Sequence, residues 1–115
     1  MKEADIIDAL KDSMHQSQAD VSLSIGDDGA IIDLDDDKQM VTVTDAITVD
    51  VHYPAGIEAE AIGYRSLAVN LSDMAAMGGV AKWANLVFSI PSINRIGLMA
   101  LLKGFQKLPT RIIFV

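Results

Sequence analysis

The chain has 115 residues, half of them apolar and 22% charged, with 16 acidic against 9 basic side chains and a formal net charge of −7. This length supports one domain with a modest core, and the acidic balance excludes a non-specific nucleic-acid surface, which needs clustered Lys and Arg to neutralise phosphates. The absence of cysteine excludes disulfides, thiolate catalysis and thiolate-bound zinc.

In chain order, residues 2–14 predict a short helix, with Ile6, Leu10 and Met14 at successive i+4 steps. The first residues, MKEADIIDALKD, are charged and amphipathic and lack the apolar core of a signal peptide. In the following SIGDDGAIIDLDDDK, Gly26 and Gly29 bracket Asp27 and Asp28. Residues 30–34 predict a short strand, and Asp35–Lys38 a turn.

The stretch VTVTDAITVDVHY, residues 41–53, carries the clearest strand pattern. Val41, Val43, Ile47, Val49 and Val51 hold the odd positions, whereas Thr42, Thr44, Thr48, Asp50 and His52 hold the even ones. Asp45 falls in register with the valines, where a carboxylate is costly unless compensated. A helix is expected from about Glu58 to Met77, closed by Gly78-Gly79. A strand over 82–90, a helix over 94–107 and a last strand in TRIIFV complete the reading. The apolar run LVFSIPSINRIGLMALL is interrupted by Pro91, Asn94 and Arg95, so no membrane span is expected and a cytoplasmic protein is the default. The element order predicts α+β or α/β.

On the helix over 58–77, Leu67, Leu71, Met74 and Gly78 share one face at about 100° per residue. Ser66, Asn70 and Asp73 form a separate polar stripe, and the small Ala68, Ala75 and Ala76 offer room for close backbone approach. Acidic groups thus stand in three places: Asp27-Asp28 in a glycine-bounded loop, Asp45 in a strand and Asp73 on a helix. If these segments converge, the carboxylates repel one another unless Mg²⁺, which takes hard oxygen ligands, sits among them. The plainer alternative makes the loop pair a turn, Asp45 a strand-end hydrogen-bonding residue and Asp73 a surface charge. His52 is either a surface residue or a ligand contact. Asp33, Asp35 and Asp37 imitate the start of a calcium loop, but Lys38 and Thr44 replace its essential Gly and Glu. GDDG lacks the length and the GK[ST] ending of a phosphate loop, and no Ser/His/Asp arrangement can be assembled.

Taken in order, SIGDDGAII, VTVTDAITVDVHY and IGYRSLAVNLSDMAAMGG resemble the amino-terminal domain of the thiamine-monophosphate kinases, in the superfamily of aminoimidazole ribonucleotide synthetase. The resemblance implies an α+β fold of that superfamily, a mixed sheet with helices packed on one face, spanning residues 1–115 as an ATP- and Mg²⁺-binding type of domain. It implies ATP-dependent phosphorylation of thiamine monophosphate to thiamine diphosphate, with ATP as phosphoryl donor and a homodimer formed through the sheets. By motif, Asp28, Thr44, Asp45 and Asp73 resemble Mg²⁺ ligands, Asp27 is a possible additional one, and His52 resembles a substrate contact. Val43 stands where the family often has Ser, so only a backbone carbonyl could serve there. The ending PTRIIFV departs from the family, in which a strand leads into a Gly-Gly-Asp-Thr segment and then a second domain. The resemblance therefore implies a chain incomplete at its C-terminal end, without appreciable kinase activity by itself. A non-catalytic remnant, a dimerisation or Mg²⁺-binding module, and another member of the superfamily are the alternatives.

Overall fold

The computed structural model describes residues 1–14, 19–108 and 112–114, the last by its backbone. The chain divides into two compact units, one of Met1–Met40, Lys82–Ser92 and Arg111–Val115, the other of Val41–Ala81 and Ile93–Thr110. The composition of helices and short strands is α+β, as the sequence pattern implies. No helix among the described residues is long and apolar enough to cross a membrane.

The first unit opens with α1 (Glu3–Met14), whose first turn carries Glu3 and Asp5 and whose last turn carries Lys11. Those charges complement the helix dipole at both ends, and Asp5 accepts a hydrogen bond from the Lys2 amide at 2.8 Å. Two strands follow, β1 (Val21–Leu23) and β2 (Ile31–Ile32), paired antiparallel with Val21 opposite Ile32 and Leu23 opposite Ile31. The pairing extends one step further, because the Asp33 amide donates to the Asp20 carbonyl at 2.7 Å. β1 is missing from the sequence-based elements, since three residues are too few to display an alternation. A second, parallel pair joins β3 (Trp83–Ala84) to β4 (Ile113–Phe114), with the Ile113 amide donating to the Lys82 carbonyl at 2.9 Å. Ala9, Met14, Ile112 and Ile113 are the buried apolar residues of this unit. The strand expected over 82–90 contracts to Trp83–Ala84; Val87 beyond it is 90% exposed and belongs to no ladder.

The second unit is built on two helices, α2 (Ala59–Ala76) and α3 (Arg95–Gln106), both within a residue or two of the expected bounds. Asn94 starts α3 by accepting the Gly97 amide on its side-chain oxygen at 2.8 Å, which satisfies one orphan donor of the first turn. At the other end of α2, Gly78 adopts φ 68°, and the amides of Gly78 and Gly79 donate to the carbonyls of Ala75 and Met74, both at 3.0 Å. This double closure with a left-handed glycine is what stops the helix.

The start of α2 meets the end of α3 at unusually short range. A Cβ on Gly63 would lie 2.1 Å from the Leu101 carbonyl oxygen, and one on Gly104 would lie 2.1 Å from the Glu60 carbonyl oxygen. Each glycine therefore admits the backbone of the opposite helix. Leu67, Leu98, Leu101, Leu102 and Phe105 are buried in the unit, Leu98 at 0% exposure and Leu102 at 1%. Each such side chain contributes about 1.5–3 kcal/mol of transfer free energy when fully buried. The sequence reading assigned close approach to Ala68, Ala75 and Ala76 instead. Ala75 and Ala76 are exposed and Ala68 is half-buried, so the close contact lies a turn or more nearer the helix start. At the same crossing Glu60 pairs with Lys107 and, at 3.7 Å, with Lys103.

Residues 41–48 do not form the expected strand. Their side chains largely keep the alternation, Val41, Val43 and Ile47 half-buried and Thr42, Thr44 and Thr48 exposed, but no neighbouring strand pairs with them among the described residues. A β pattern fixes which side chains point inward; the ladder needs a partner strand.

Two predictions follow from the helix pair. Gly63→Ala and Gly104→Ala each place a methyl group inside backbone contact distance. Despite the helix-propensity gain of about 1 kcal/mol that Ala brings over Gly, each is expected to lower the stability of the chain by about 1–3 kcal/mol, measured by urea unfolding. The Lys107 hydrogen bond, reinforced by the charges of both lysines, holds the Glu60 carboxyl below its ordinary pKa, and Glu60 in turn raises that of Lys107. A depressed carboxyl contributes stability above the unfolded value of about 4.3 and loses it as pH falls through the folded value. The raised Lys107 contribution is present below about pH 10.4 and is lost as pH rises through its own folded value. The stability difference between wild type and Glu60→Gln should therefore be largest near neutral pH and vanish in acid; a difference constant down to pH 2 would contradict the pairing.

Candidate functional site

Within the first unit, the SIGDDGAII segment makes a tight loop after β1. Gly26 has φ 117°, a conformation L side chains rarely adopt, and Ile25 and Asp27 form an isolated bridge across it. The Lys11 ammonium group packs over Gly26, where an added Cβ would meet Nζ at 2.8 Å. Asp27 turns its carboxylate back onto the chain, accepting the Asp28 amide at 2.8 Å. One oxygen of Asp27 thus serves the turn itself, whereas the Asp28 carboxylate is exposed and in no ion pair among the described residues. The local geometry separates the two: Asp27 shapes the loop, and the Asp28 carboxylate takes no part in that turn bond.

Within the second unit, Thr44 and Asp45 sit in the unpaired extended segment, both exposed. Asp45 is thereby relieved of the burial penalty that its register among valines suggests. Asp73 lies near the end of α2 and is exposed. The polar stripe it was grouped with resolves differently. Ser66 Oγ donates to the Gly63 carbonyl at 2.9 Å, and the Asn70 amide side chain donates to the Ser66 carbonyl at 2.8 Å. Ser66 and Asn70 are therefore spent on their own helix, a common fate for such groups in a helix interior, and only Asp73 remains available. His52 is exposed within a turn, where the sequence pattern places the end of a strand, and the turn is closed by a bond from the Thr48 amide to His52 Nδ1 at 2.8 Å.

Among the described residues, neither unit by itself gathers three His, Asp or Glu side chains into a group that could hold a metal ion. Asp27 and Asp28 belong to one unit, Thr44, Asp45, His52 and Asp73 to the other. The donor chemistry nevertheless suits Mg²⁺: three exposed carboxylates without ion pairs and one hydroxyl, all hard oxygen donors, with no thiolate and no cluster of imidazoles.

Comparison with known proteins gives these segments a common origin. Residues 26–111 match the family model described as AIR synthase related protein, N-terminal domain. The chain belongs to that family. The matched span takes in Asp27, Asp28, Thr44, Asp45, His52 and Asp73. Among its relatives, the thiamine-monophosphate kinase of Haemophilus influenzae is 38% identical over 74 residues, covering 64% of this chain and 23% of that protein. The thiamine-monophosphate kinase of Bacillus subtilis is 38% identical over 94 residues, covering 80% of this chain and 28% of its own length. A crystal structure of the thiamine-monophosphate kinase of Stenotrophomonas maltophilia K279a superposes with a TM-score of 0.78 at 34% identity, over 96% of this chain and 34% of that one. The chain spans about a quarter of the length of the curated relatives it matches. The fold and kinship read from the three motifs are thus borne out, and the kinship is to kinases of thiamine biosynthesis.

Proposed function

We propose that this chain is the amino-terminal part of an ATP-dependent kinase that phosphorylates thiamine monophosphate to thiamine diphosphate. The observation that carries the reading is the run of relatives at 34–38% identity, all thiamine-monophosphate kinases, over most of the chain. Phosphoryl transfer between two anions asks little covalent chemistry of a protein; it asks for alignment and for relief of charge. Asp28, Thr44, Asp45 and Asp73 are the residues that would hold Mg²⁺, and the ion would neutralise phosphate charge there. Asp27 contributes by shaping the loop that presents Asp28, with its remaining oxygen as an additional donor. His52 is the substrate-contacting residue in this reading. Direct, in-line transfer from ATP to the acceptor phosphate is the mechanism expected in this reading.

The partners in this reading are thiamine monophosphate, ATP and a second copy of the chain. The homodimer draws support from residues 41–47, an alternating segment whose backbone donors and acceptors enter no ladder among the described residues. An open strand of this kind is a template for pairing with another chain. The same observation favours the second reading, a dimerisation module that binds Mg²⁺ without catalysing transfer.

The test is a calorimetric titration of Mg²⁺, with and without ATP, into wild type, Asp45→Asn and Asp73→Asn. Loss of a ligating carboxylate is expected to weaken Mg²⁺ binding at least about tenfold, since even changes one shell further out cost that much. Binding equal in all three proteins would remove both residues from the site. Binding of Mg²⁺ by wild type that ATP leaves unchanged would favour the non-catalytic module.

A further inference from the structure

The turn that carries His52 is knitted together by reciprocal bonds. The His52 amide donates to the Thr48 carbonyl at 2.9 Å, and the Val51 amide reaches the same oxygen at 3.3 Å. In the opposite sense, the Thr48 amide donates to His52 Nδ1 at 2.8 Å. Asp50 between them has φ 63°, the only non-glycine with positive φ among the described residues. Its amide donates to the Tyr53 carbonyl at 2.7 Å, and its carboxylate accepts the Ala55 amide at 3.3 Å. A left-handed Asp costs roughly 1–2 kcal/mol in backbone terms, and these bonds offset it locally.

The chemistry of the bond to Nδ1 is one-sided. A backbone amide can only donate, so Nδ1 must keep its lone pair to accept. A neutral imidazole then carries its proton on Nε2. The ring is left with one outward capability, a neutral donor at Nε2, and it cannot act there as an acceptor or a general base.

We propose that the Thr48 amide locks His52 in its Nε2–H form, making the ring a fixed hydrogen-bond donor to a phosphate oxygen of the bound substrate. This inference rests on the reading of His52 as a substrate contact and adds to it the direction of the bond and the group that sets it. The backbone of Thr48 is then a positioning element, acting through the imidazole. Because the donor is neutral, its contact orients the substrate without adding charge compensation, and it is indifferent to salt compared with a lysine or arginine contact.

The experiment is a long-range ¹H–¹⁵N correlation spectrum of the imidazole in the 115-residue chain, first free and then titrated with thiamine monophosphate. In the free protein, Nδ1 is expected to resonate as an unprotonated nitrogen and Nε2 as a protonated one; the reverse assignment overturns the proposal. With thiamine monophosphate, Nε2 and its proton should shift while Nδ1 keeps its unprotonated character. Two variants separate the roles. His52→Asn places a carbonyl oxygen where Nδ1 stood, so the Thr48 amide should stay protected from exchange, but substrate affinity should fall roughly 3–10-fold, the range of one neutral hydrogen bond. His52→Gln carries an N–H donor out to the reach of Nε2 and should recover most of that affinity. Substrate binding visible elsewhere in the spectrum, with Nε2 unmoved and His52→Asn equal to wild type, would overturn the donor role. No response to thiamine monophosphate at any signal would overturn the reading of His52 as a substrate contact of this chain, and the donor role with it, while the tautomer is judged separately in the ligand-free spectrum.

Discussion

Two glycines set the geometry of the α2–α3 unit. Gly63 faces the Leu101 carbonyl and Gly104 faces the Glu60 carbonyl, each at a range no side chain tolerates. A helix interior loses about 0.5–1 kcal/mol for every Gly in place of Ala, so two on facing helices carry a real cost. The return is close backbone approach, which brings Leu98, Leu102 and Phe105 under cover and sets Glu60 beside Lys103 and Lys107. Asp73 stands out from α2 near its glycine-capped end.

The same helix sorts polar residues by what they do locally. Ser66 and Asn70 look like partners of Asp73 when the helix is drawn as a wheel, yet their side chains bond to carbonyls one turn back. A carboxylate has no proton to give a carbonyl. Asp73 therefore cannot follow them, and its carboxylate stays exposed. The GDDG loop sorts its own pair in a similar way. Asp27 accepts its neighbour's amide and builds the turn, leaving Asp28 exposed. In both places the free carboxylate is the one that local hydrogen bonding did not consume.

The Thr48–His52 turn extends the same logic to an imidazole. There, local hydrogen bonding takes one nitrogen and so defines what the other can do. Functional groups presented by this chain are thus residues of a subtraction. Secondary structure and turns take the donors and acceptors they need, and the chain presents the remainder outward. Kinship with the thiamine-monophosphate kinases underlies the proposal that this remainder holds a divalent cation and meets a phosphate.

The residues themselves dictated much of this. Periodicity placed α1, α2 and α3 close to their observed bounds, because helices close their hydrogen bonds within one segment. Gly78-Gly79 announced the end of α2, and three motifs in order identified the family. The strand pattern over 41–53 marked Val41, Val43 and Ile47 as turned inward but failed at Val49 and Val51, which are exposed; pairing is a property of two segments, and no partner strand lies beside it among the described residues. β1 was too short to register, and the strand over 82–90 shrank to the two residues that meet β4. Tertiary structure alone decided the glycine crossing and the pairing of Glu60 with lysines more than forty positions away. Each depends on atoms that only folding brings within reach, whereas composition and spacing record what a segment can do before it has neighbours.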